Sequence, residues 1–499
     1  MKAIVCISNN VVRDSRVKRQ INALADEYEQ VHVVAVAQPD PEFGVKRENV
    51  TYSFAEIKHN RYPATVQIRE KLKAWDLYSE MKKYCPILES DRYNSYFEMK
   101  YICKQFHILT SSGRYEEIQN RNAEKMKLEP AISYIIYFLE NSIEIALEAQ
   151  KYDADVIVCN DEDTLLAGVL HKKNKGTRLI YDVHDLLSDV TENVFPLIYS
   201  EMLCLYEKNM IHYADAVIGA GKYLLEWVGE HYELNVPVIP IFNCGNSEEI
   251  HVEKKKFDAP NIRFYYQGLA YPNRNLELLI EAAKGLKNVE IVIRSDENEY
   301  IESIKKLAAG LDMDKSVTFL KMVPTEEVYS AANRDGDIGV YLADPQKSIN
   351  WKASFTNKFL EYLVAGLPVI TTDARDQAEV VKKYQCGYVL KSNSIEELRR
   401  LLIKIVENRD ELKSKSECAM HVGKEIFNWD IYRRKMLDVF RGKTKSEISL
   451  KKGNPIWISQ ELEIEKLLKK IHSSASVIKY YHIIKFEKEL NRDETKGSI

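Results

Sequence analysis

The stretch SFTNKFLEYLVAGLPVITTDARDQAEVV, residues 354–381, carries the clearest fold signal in the chain. A polar loop, an amphipathic helix, a Gly-Leu-Pro stop, a buried strand and a second helix follow one another, which predicts part of a parallel α/β sheet. Four polar side chains gather at the start of the first helix: Thr356, Asn357, Lys358 and Glu361. Helix N-termini favour anions, and parallel sheets bind ligands at the carboxyl ends of their strands. A carboxylate in this group suits a ribose diol better than a phosphate, so the stretch predicts a nucleotide-sugar site.

The composition is that of an ordinary globular protein. With 499 residues, of which 45% are hydrophobic and 29% charged, the chain is too long for one core, so we expect two domains. The net charge of −4 gives no electrostatic reason to expect nucleic acid as a partner. Eight scattered cysteines without metal-ligand spacing predict reduced cytosolic thiols. Because no run of about 18 apolar residues occurs, we expect a cytoplasmic protein.

Alternating strands and helices predict two Rossmann-like, doubly wound α/β domains that face each other across a cleft. The first domain, residues 1–245, is interrupted by a helical insertion at residues 58–150. The second domain, residues 246–425, repeats the same pattern, and a helix at residues 426–442 is expected to return to the first. Residues 443–499 form an amphipathic helical tail with Lys-rich linkers.

The tail leaves three alternatives open. Its helices would pack on the first domain, lie on an anionic membrane surface, or dock a partner. The second alternative would place the protein peripherally on the inner face of the membrane.

Five short motifs resemble those of family-4 retaining glycosyltransferases of the GT-B fold. They are DSRV at 14–17, YDVHDLLSD at 181–189, YQG at 266–268 followed by Arg274, TNKFLEY at 356–362 and AGLP at 365–368. The resemblance covers roughly residues 1–57 and 150–440. It implies a hexosyltransferase-type enzyme with a nucleotide-diphosphate sugar as co-substrate and a glycan or lipid-linked acceptor, in surface polysaccharide or glycoconjugate synthesis. It also implies that neither a metal nor a cofactor is needed.

The donor is expected in the second domain, where the polar group at 356–361 would bind it. Arg274 and Lys358 are the catalytic candidates there, because cations stabilise the charge that builds on a leaving diphosphate. Gly268 would let the backbone approach the phosphates, and the nucleobase is expected along the backbone near Ser295. The resemblance implies that Glu361 accepts hydrogen bonds from the ribose; an ion pair with Lys358 is the alternative.

The acceptor is expected in the first domain. The resemblance implies that His184, a catalytic candidate, lies near the transferred sugar, although a lone histidine is more often a structural hydrogen-bonding residue. Asp14, Arg16 and Asp161 are the acceptor-site candidates, and an ion pair with Asp14 is an equal alternative for Arg16. Asp163 is expected to cap the helix that follows.

Two positions depart from the family pattern. Ala353 stands where many members have the first of two glutamates, and Leu269 stands where many have arginine. Two other functions therefore stay open: a nucleotide-sugar epimerase on the same fold, and a degenerate, non-catalytic transferase-like subunit.

Overall fold

The computed structural model describes residues 1–55, 144–187, 211–245, 252–353 and 355–448, except residues 10, 12, 13 and 37–43, and the single positions 138, 141, 142, 189, 203, 206–208, 210 and 450. Nearly all of the predicted insertion and of the predicted tail lies outside the described residues. The chain forms two compact units. The first holds the described residues of Met1–Ile218 and Glu226–Ile239 and those from Lys445 onward, and the second holds those of Gly219–Leu225 and Pro240–Thr444.

The first sheet has seven strands in the order β3-β2-β1-β4-β5-β6-β7. The strands are β1 (Lys2–Cys6), β2 (Gln30–Ala35), β3 (Val50–Phe54), β4 (Val156–Asn160), β5 (Arg178–Val183), β6 (Ala216–Gly219) and β7 (Val238–Pro240). The helices described with it are α1 (Ser15–Glu27), α2 (Leu165–Lys175) and α3 (Lys222–His231). Asp14 begins α1 by accepting a hydrogen bond from the Val17 amide at 3.0 Å, as a helix N-cap does.

The second sheet has six strands in the order β10-β9-β8-β11-β12-β13. They are β8 (Ile262–Gln267), β9 (Val289–Arg294), β10 (Val317–Leu320), β11 (Ile338–Tyr341), β12 (Val369–Thr371) and β13 (Gly387–Val389). Its helices are α4 (Leu276–Ala283), α5 (Glu299–Gly310), α6 (Val328–Asp335), α7 (Ile349–Lys352), α8 (Asn357–Val364), α9 (Arg375–Tyr384), α10 (Ile395–Glu407), α11 (Arg409–His421) and α12 (Trp429–Phe440). Apolar residues of β8, β9, α4, α5 and α10 share one core.

Each sheet reverses its strand order beside its first strand, between β1 and β4 and between β8 and β11. The strand pairs at both reversals are parallel. The predicted α/β class with two Rossmann-like sheets is therefore confirmed, and the carboxyl ends of strands next to a reversal are where such sheets bind ligands.

Three structural features bear on the expectations from the sequence. Strand β3 was not predicted, because it lies at the sheet edge and most of its side chains are partly exposed. Helix α12 lies in the second unit, and its return to the first stays a prediction. Within the described part of the chain, no helix is both long enough and apolar enough to cross a membrane.

Candidate functional site

Gly268 brings the backbone close to the amino group of Lys358. The glycine directly follows β8, and its φ of +105° lies in the left-handed region that favours glycine. A Cβ atom at this position would lie 2.5 Å from Cε and 2.9 Å from Nζ of Lys358. The ammonium group therefore lies against the carboxyl end of β8, at the position that the sequence predicts for a phosphate.

Lys358 has no counter-ion among the described residues. Its Nζ has neither a carboxylate within 4.0 Å nor a hydrogen-bond acceptor there, so the alternative ion pair with Glu361 is not formed. The ring centroid of Tyr266 lies 5.9 Å from Nζ. Burial and the charge of Arg274 lower the pKa of Lys358 to about 8, although the charge of Glu361 acts in the opposite direction.

Arg274 supplies the second cation of this region. It ends a 3-10 turn, Pro272–Arg274, that follows Gly268. Among the described residues, its buried Nε has no hydrogen-bond partner and its guanidinium has no carboxylate within salt-bridge distance. Two neighbouring cations without a counter-ion repel each other, and a bound anion would remove that repulsion.

Glu361 is held by Gln267 at the end of β8. Nε2 of Gln267 donates a hydrogen bond to Oε2 of Glu361 at 2.5 Å. The hydroxyl of Tyr265 in turn donates to Oε1 of Gln267 at 2.9 Å, which fixes the orientation of the amide. The orientation of the Glu361 carboxylate therefore depends on Gln267 and not on an ion pair with Lys358 or Arg274.

A buried arginine anchors this chain of hydrogen bonds. Nε of Arg294 donates to the Tyr265 hydroxyl at 2.9 Å, and its Nη2 forms an ion pair with Asp335. No role was predicted from the sequence for the side chains of Arg294, Tyr265 or Gln267. The alternation of side chains along β8 was an available signal, because it places residues 265 and 267 on one face of the sheet.

The remaining donor-site candidates differ in how far they are engaged. Thr356 caps α8 by accepting a hydrogen bond from the Phe359 amide at 3.3 Å, and Oδ1 of Asn357 accepts one from Asn243 at 2.9 Å. The hydroxyl of Ser295, which follows β9, is buried and has no hydrogen-bond partner among the described residues. Ser295 thus offers a buried, unpartnered hydroxyl at the predicted nucleobase position.

In the first unit, His184 and Asp161 meet at the carboxyl ends of β5 and β4. The backbone amide of His184 donates to Oδ1 of Asp161 at 3.1 Å, and Nδ1 of the ring lies 3.4 Å from Oδ2. Nε2 of His184 lies 3.1 Å from Oδ1 of Asn160 and 3.7 Å from Oδ2 of Asp182. Burial alone would lower the pKa of His184, but the carboxylates of Asp161 and Asp182 outweigh it and raise the pKa to about 9.

Arg16 is paired with Asp182. Nη2 and Nε of Arg16 contact the two carboxylate oxygens at 2.6 and 2.9 Å, and Gln20 adds a hydrogen bond to the carboxylate at 3.1 Å. The sequence predicted either an ion pair between Arg16 and Asp14 or a contact between Arg16 and the acceptor. Neither alternative included the ion pair with Asp182. Arg16 is only 7% exposed, and a contact between it and an acceptor stays a prediction.

The predicted helix cap at Asp163 is wrong. Asp163 lies inside a 3-10 turn, Glu162–Thr164, and α2 begins after it without a side-chain cap. One carboxylate oxygen of Asp163 is buried without a hydrogen-bond partner in the described structure. Burial raises its pKa to about 7.

Comparisons with known proteins agree with this architecture. Residues 246–420 match the family model described as Glycosyl transferases group 1. A protein of Methanocaldococcus jannaschii named uncharacterized glycosyltransferase MJ1069 is 25% identical over 300 residues, which cover 56% of this chain and 73% of the relative.

Solved structures share the fold at low sequence identity. Anabaena HepE, solved in complex with UDP-glucose, matches with a TM-score of 0.59 at 12% identity, over 89% of this chain and 100% of that chain. The sucrose-phosphate synthase of Thermosynechococcus elongatus matches with a TM-score of 0.61 at 12% identity, over 89% and 98%. WaaG, a glycosyltransferase involved in lipopolysaccharide biosynthesis, matches with a TM-score of 0.53 at 12% identity, over 88% and 100%. Residues 246–420 thus match the glycosyl transferases group 1 family, and the chain has the GT-B fold that these solved glycosyltransferases share.

Proposed function

We propose that this glycosyltransferase moves a hexosyl group, with retention of configuration, from a nucleotide-diphosphate sugar to a glycan or lipid-linked acceptor. The observation that carries the proposal is the pair of cations, Lys358 and Arg274, beside Gly268. The two cations would bind the diphosphate, and Glu361, held apart from them by Gln267, would accept hydrogen bonds from the ribose. The donor is a co-substrate, and the proposal includes no metal ion or cofactor.

The reaction breaks the bond between C1 of the sugar and the diphosphate oxygen, and forms a bond between C1 and the acceptor oxygen on the same face of the ring. The electron pair of the broken bond stays on the diphosphate, where Lys358 and Arg274 would stabilise the charge. The proton of the acceptor hydroxyl passes to an oxygen of the leaving diphosphate. On the family resemblance, we place His184 near the transferred sugar.

The acceptor class is proposed from two structural neighbours. WaaG is described as acting in lipopolysaccharide biosynthesis and HepE was solved with UDP-glucose, which makes a surface glycan the first acceptor class and a UDP-sugar the first donor to test. A cytoplasmic location with peripheral membrane contact through residues 443–499 is part of the proposal, and that tail lies outside the described residues apart from its first few positions.

The direct test is incubation of the full chain with radiolabelled UDP-glucose or GDP-mannose and a membrane lipid extract. Label in glycan or lipid supports the proposal, and the anomeric configuration of the product, determined by NMR, tests retention. An altered free nucleotide sugar would instead indicate an epimerase. Donor binding without either product would indicate a degenerate subunit, which Ala353 and Leu269 favour.

Substitution of Glu361 tests the donor site separately. Glu361→Ala should weaken nucleotide-sugar binding far more than it lowers the melting temperature. The affinity of Glu361→Gln should lie between those of the wild type and Glu361→Ala. Equal nucleotide affinity of wild type and Glu361→Ala would refute the ribose assignment.

A further inference from the structure

The ring of His184 lies between a hydrogen-bond acceptor and a carboxylate. Nδ2 of Asn160 donates to the carbonyl oxygen of Cys6 at 3.1 Å, and because a carbonyl only accepts, the amide orientation is fixed. Oδ1 of Asn160 is therefore the atom that lies 3.1 Å from Nε2 of His184. On the other side of the ring, Nδ1 lies 3.4 Å from a carboxylate oxygen of Asp161. A neutral imidazole that donates from Nε2 would leave the lone pair of Nδ1 beside the Asp161 carboxylate, whereas an imidazolium donates to Asn160 and also places its positive charge beside that carboxylate.

The charged groups around the ring come from four elements. Among the described residues, most are acidic: Asp14 at the start of α1, Asp161 after β4, Asp163 in the 3-10 turn and Asp182 in β5, while the positive charge of Arg16 in α1 acts in the opposite direction. Arg16 forms a bidentate ion pair with Asp182, so the two charges largely neutralise each other. Asp161 is the carboxylate nearest to Nδ1, and no arginine neutralises it in the described contacts.

The backbone of Asp161 is strained. Its φ of 63° and ψ of 169° lie in a region that is almost reserved for glycine. In this conformation one carboxylate oxygen accepts the His184 backbone N–H while the other faces the ring. Strain of this kind persists only where the surrounding structure imposes it, and it concentrates at functional sites.

We propose that Asp161 is a positioning residue that holds His184 as a permanent imidazolium, so that His184 takes part in the reaction as a fixed positive charge and not as a proton acceptor. The catalytic meaning of this assignment rests on the proposed function. It deepens that function by giving the acceptor proton a single destination, the leaving diphosphate, because neither nitrogen of His184 has a lone pair to receive it.

The charge state of His184 is measurable without substrate. In the full-length chain with isotope-labelled histidine, NMR should show both nitrogens of His184 protonated from about pH 5.5 to about pH 8, where an ordinary histidine titrates. Asp161→Asn should move the midpoint down by at least about one pH unit, into that range. A wild-type His184 that titrates near its ordinary pKa would overturn the proposal, as would an unchanged midpoint in Asp161→Asn.

Two further variants separate charge from backbone strain. Asp161→Gly suits the backbone conformation but removes the carboxylate, so it should titrate like Asp161→Asn; a midpoint equal to that of the wild type would overturn the role of the carboxylate. Asp153→Asn, which removes an exposed carboxylate of the same unit, is the matched control and should change nothing.

Enzyme kinetics supplies the second readout. Deprotonation of Lys358 should lower kcat/KM at high pH in both proteins, and the Asp161→Asn enzyme should show an additional loss as the pH rises through the lowered pKa of His184. A variant profile parallel to that of the wild type contradicts the positioning role. A wild-type protein that holds the imidazolium but transfers no sugar would refute the proposed function and leave the charge assignment of Asp161 and His184 standing.

Discussion

Gln267 and Glu361, 94 positions apart in sequence, are joined by a hydrogen bond of 2.5 Å from the amide nitrogen to a carboxylate oxygen. Tyr265 holds the amide, and Arg294 holds Tyr265, so the orientation of Glu361 is set by the second sheet before any ligand binds. Preorganised groups lose less free energy on binding than groups that must first be ordered.

Loss of this hydrogen bond should weaken donor binding. A hydrogen bond to a charged group contributes about 1.5–3 kcal/mol, so we expect Gln267→Ala to lower nucleotide-sugar affinity by about 10- to 100-fold. Isothermal titration with the donor that binds best gives the measurement. Gln385→Ala, whose amide contacts only its own helix end, is the control and should bind normally. Unchanged affinity in Gln267→Ala would show that Glu361 does not depend on it.

Nucleotide binding should depend on pH through Lys358. Its pKa is lowered to about 8, so the unliganded protein carries the positive charge below this pH and loses it above. We expect the affinity for a nucleoside diphosphate to fall as the pH rises from about 7 to about 9. Lys358→Met should bind more weakly at pH 7 and should lack this part of the pH dependence. A variant with the same pH dependence as the wild type would assign it to another group.

The buried ion pair between Arg16 and Asp182 should be strongly coupled. Removal of one partner leaves an uncompensated buried charge, which typically costs about 3–5 kcal/mol. Arg16→Met and Asp182→Asn should each destabilise the first unit by roughly this amount, and the double variant should cost clearly less than the sum. Urea unfolding, followed through amide exchange in β4 and β5, gives the three values. Additive effects would mean that the pair is not energetically coupled.

A second buried carboxylate should make the first unit less stable at higher pH. Glu207 accepts hydrogen bonds from Tyr181 at 2.7 Å and Tyr232 at 2.8 Å. Burial raises its pKa to about 7, against the lowering effect of the two tyrosines. The unfolded chain ionises near its ordinary pKa of about 4.3, so stability is full below that value and is lost as the pH rises towards 7.

The size of this loss is on the order of 3 kcal/mol for a shift of this extent. Glu207→Gln lacks the ionisable group and should escape this loss. The free energy of unfolding of the variant minus that of the wild type should therefore be larger at pH 8 than at pH 5 by about this amount. The same unfolding experiment at the two pH values measures it. Glu29→Gln, an exposed carboxylate of the same unit, should show no such difference. If Glu207→Gln also shows none, the carboxyl group is ionised in the folded protein throughout.

The two sheets could be predicted because their signals are local. The same local signals, a glycine after a strand and polar residues at a helix start, made Gly268, Lys358 and Glu361 donor-site candidates. The structure brings Gly268 and Lys358 together, and their role towards a donor stays a prediction. The predicted cap at Asp163 was wrong because a 3-10 turn, Glu162–Thr164, precedes the helix. The helix therefore begins one or two residues later than the sequence pattern indicates.

The partners of these residues could not be predicted in the same way. Arg16 and Asp182 are separated by 166 positions, and Arg294 and Asp335 by 41. Asp14 is nearer to Arg16 in sequence, but helix geometry uses its carboxylate to cap α1. Which carboxylate meets which cation depends on the strand order, and no local pattern contains the strand order.

The sequence by itself determined the fold class and selected the donor-site candidates, because periodicity, glycine placement and helix starts are properties of neighbouring residues. Only the tertiary structure decided that Lys358 has no carboxylate partner among the described residues, that Gln267 orients Glu361, and that His184 lies between the Asn160 amide oxygen and the Asp161 carboxylate. Those relations set the charge of each group, since the charge state of a side chain depends on burial and on partners that lie close in space but far apart along the chain.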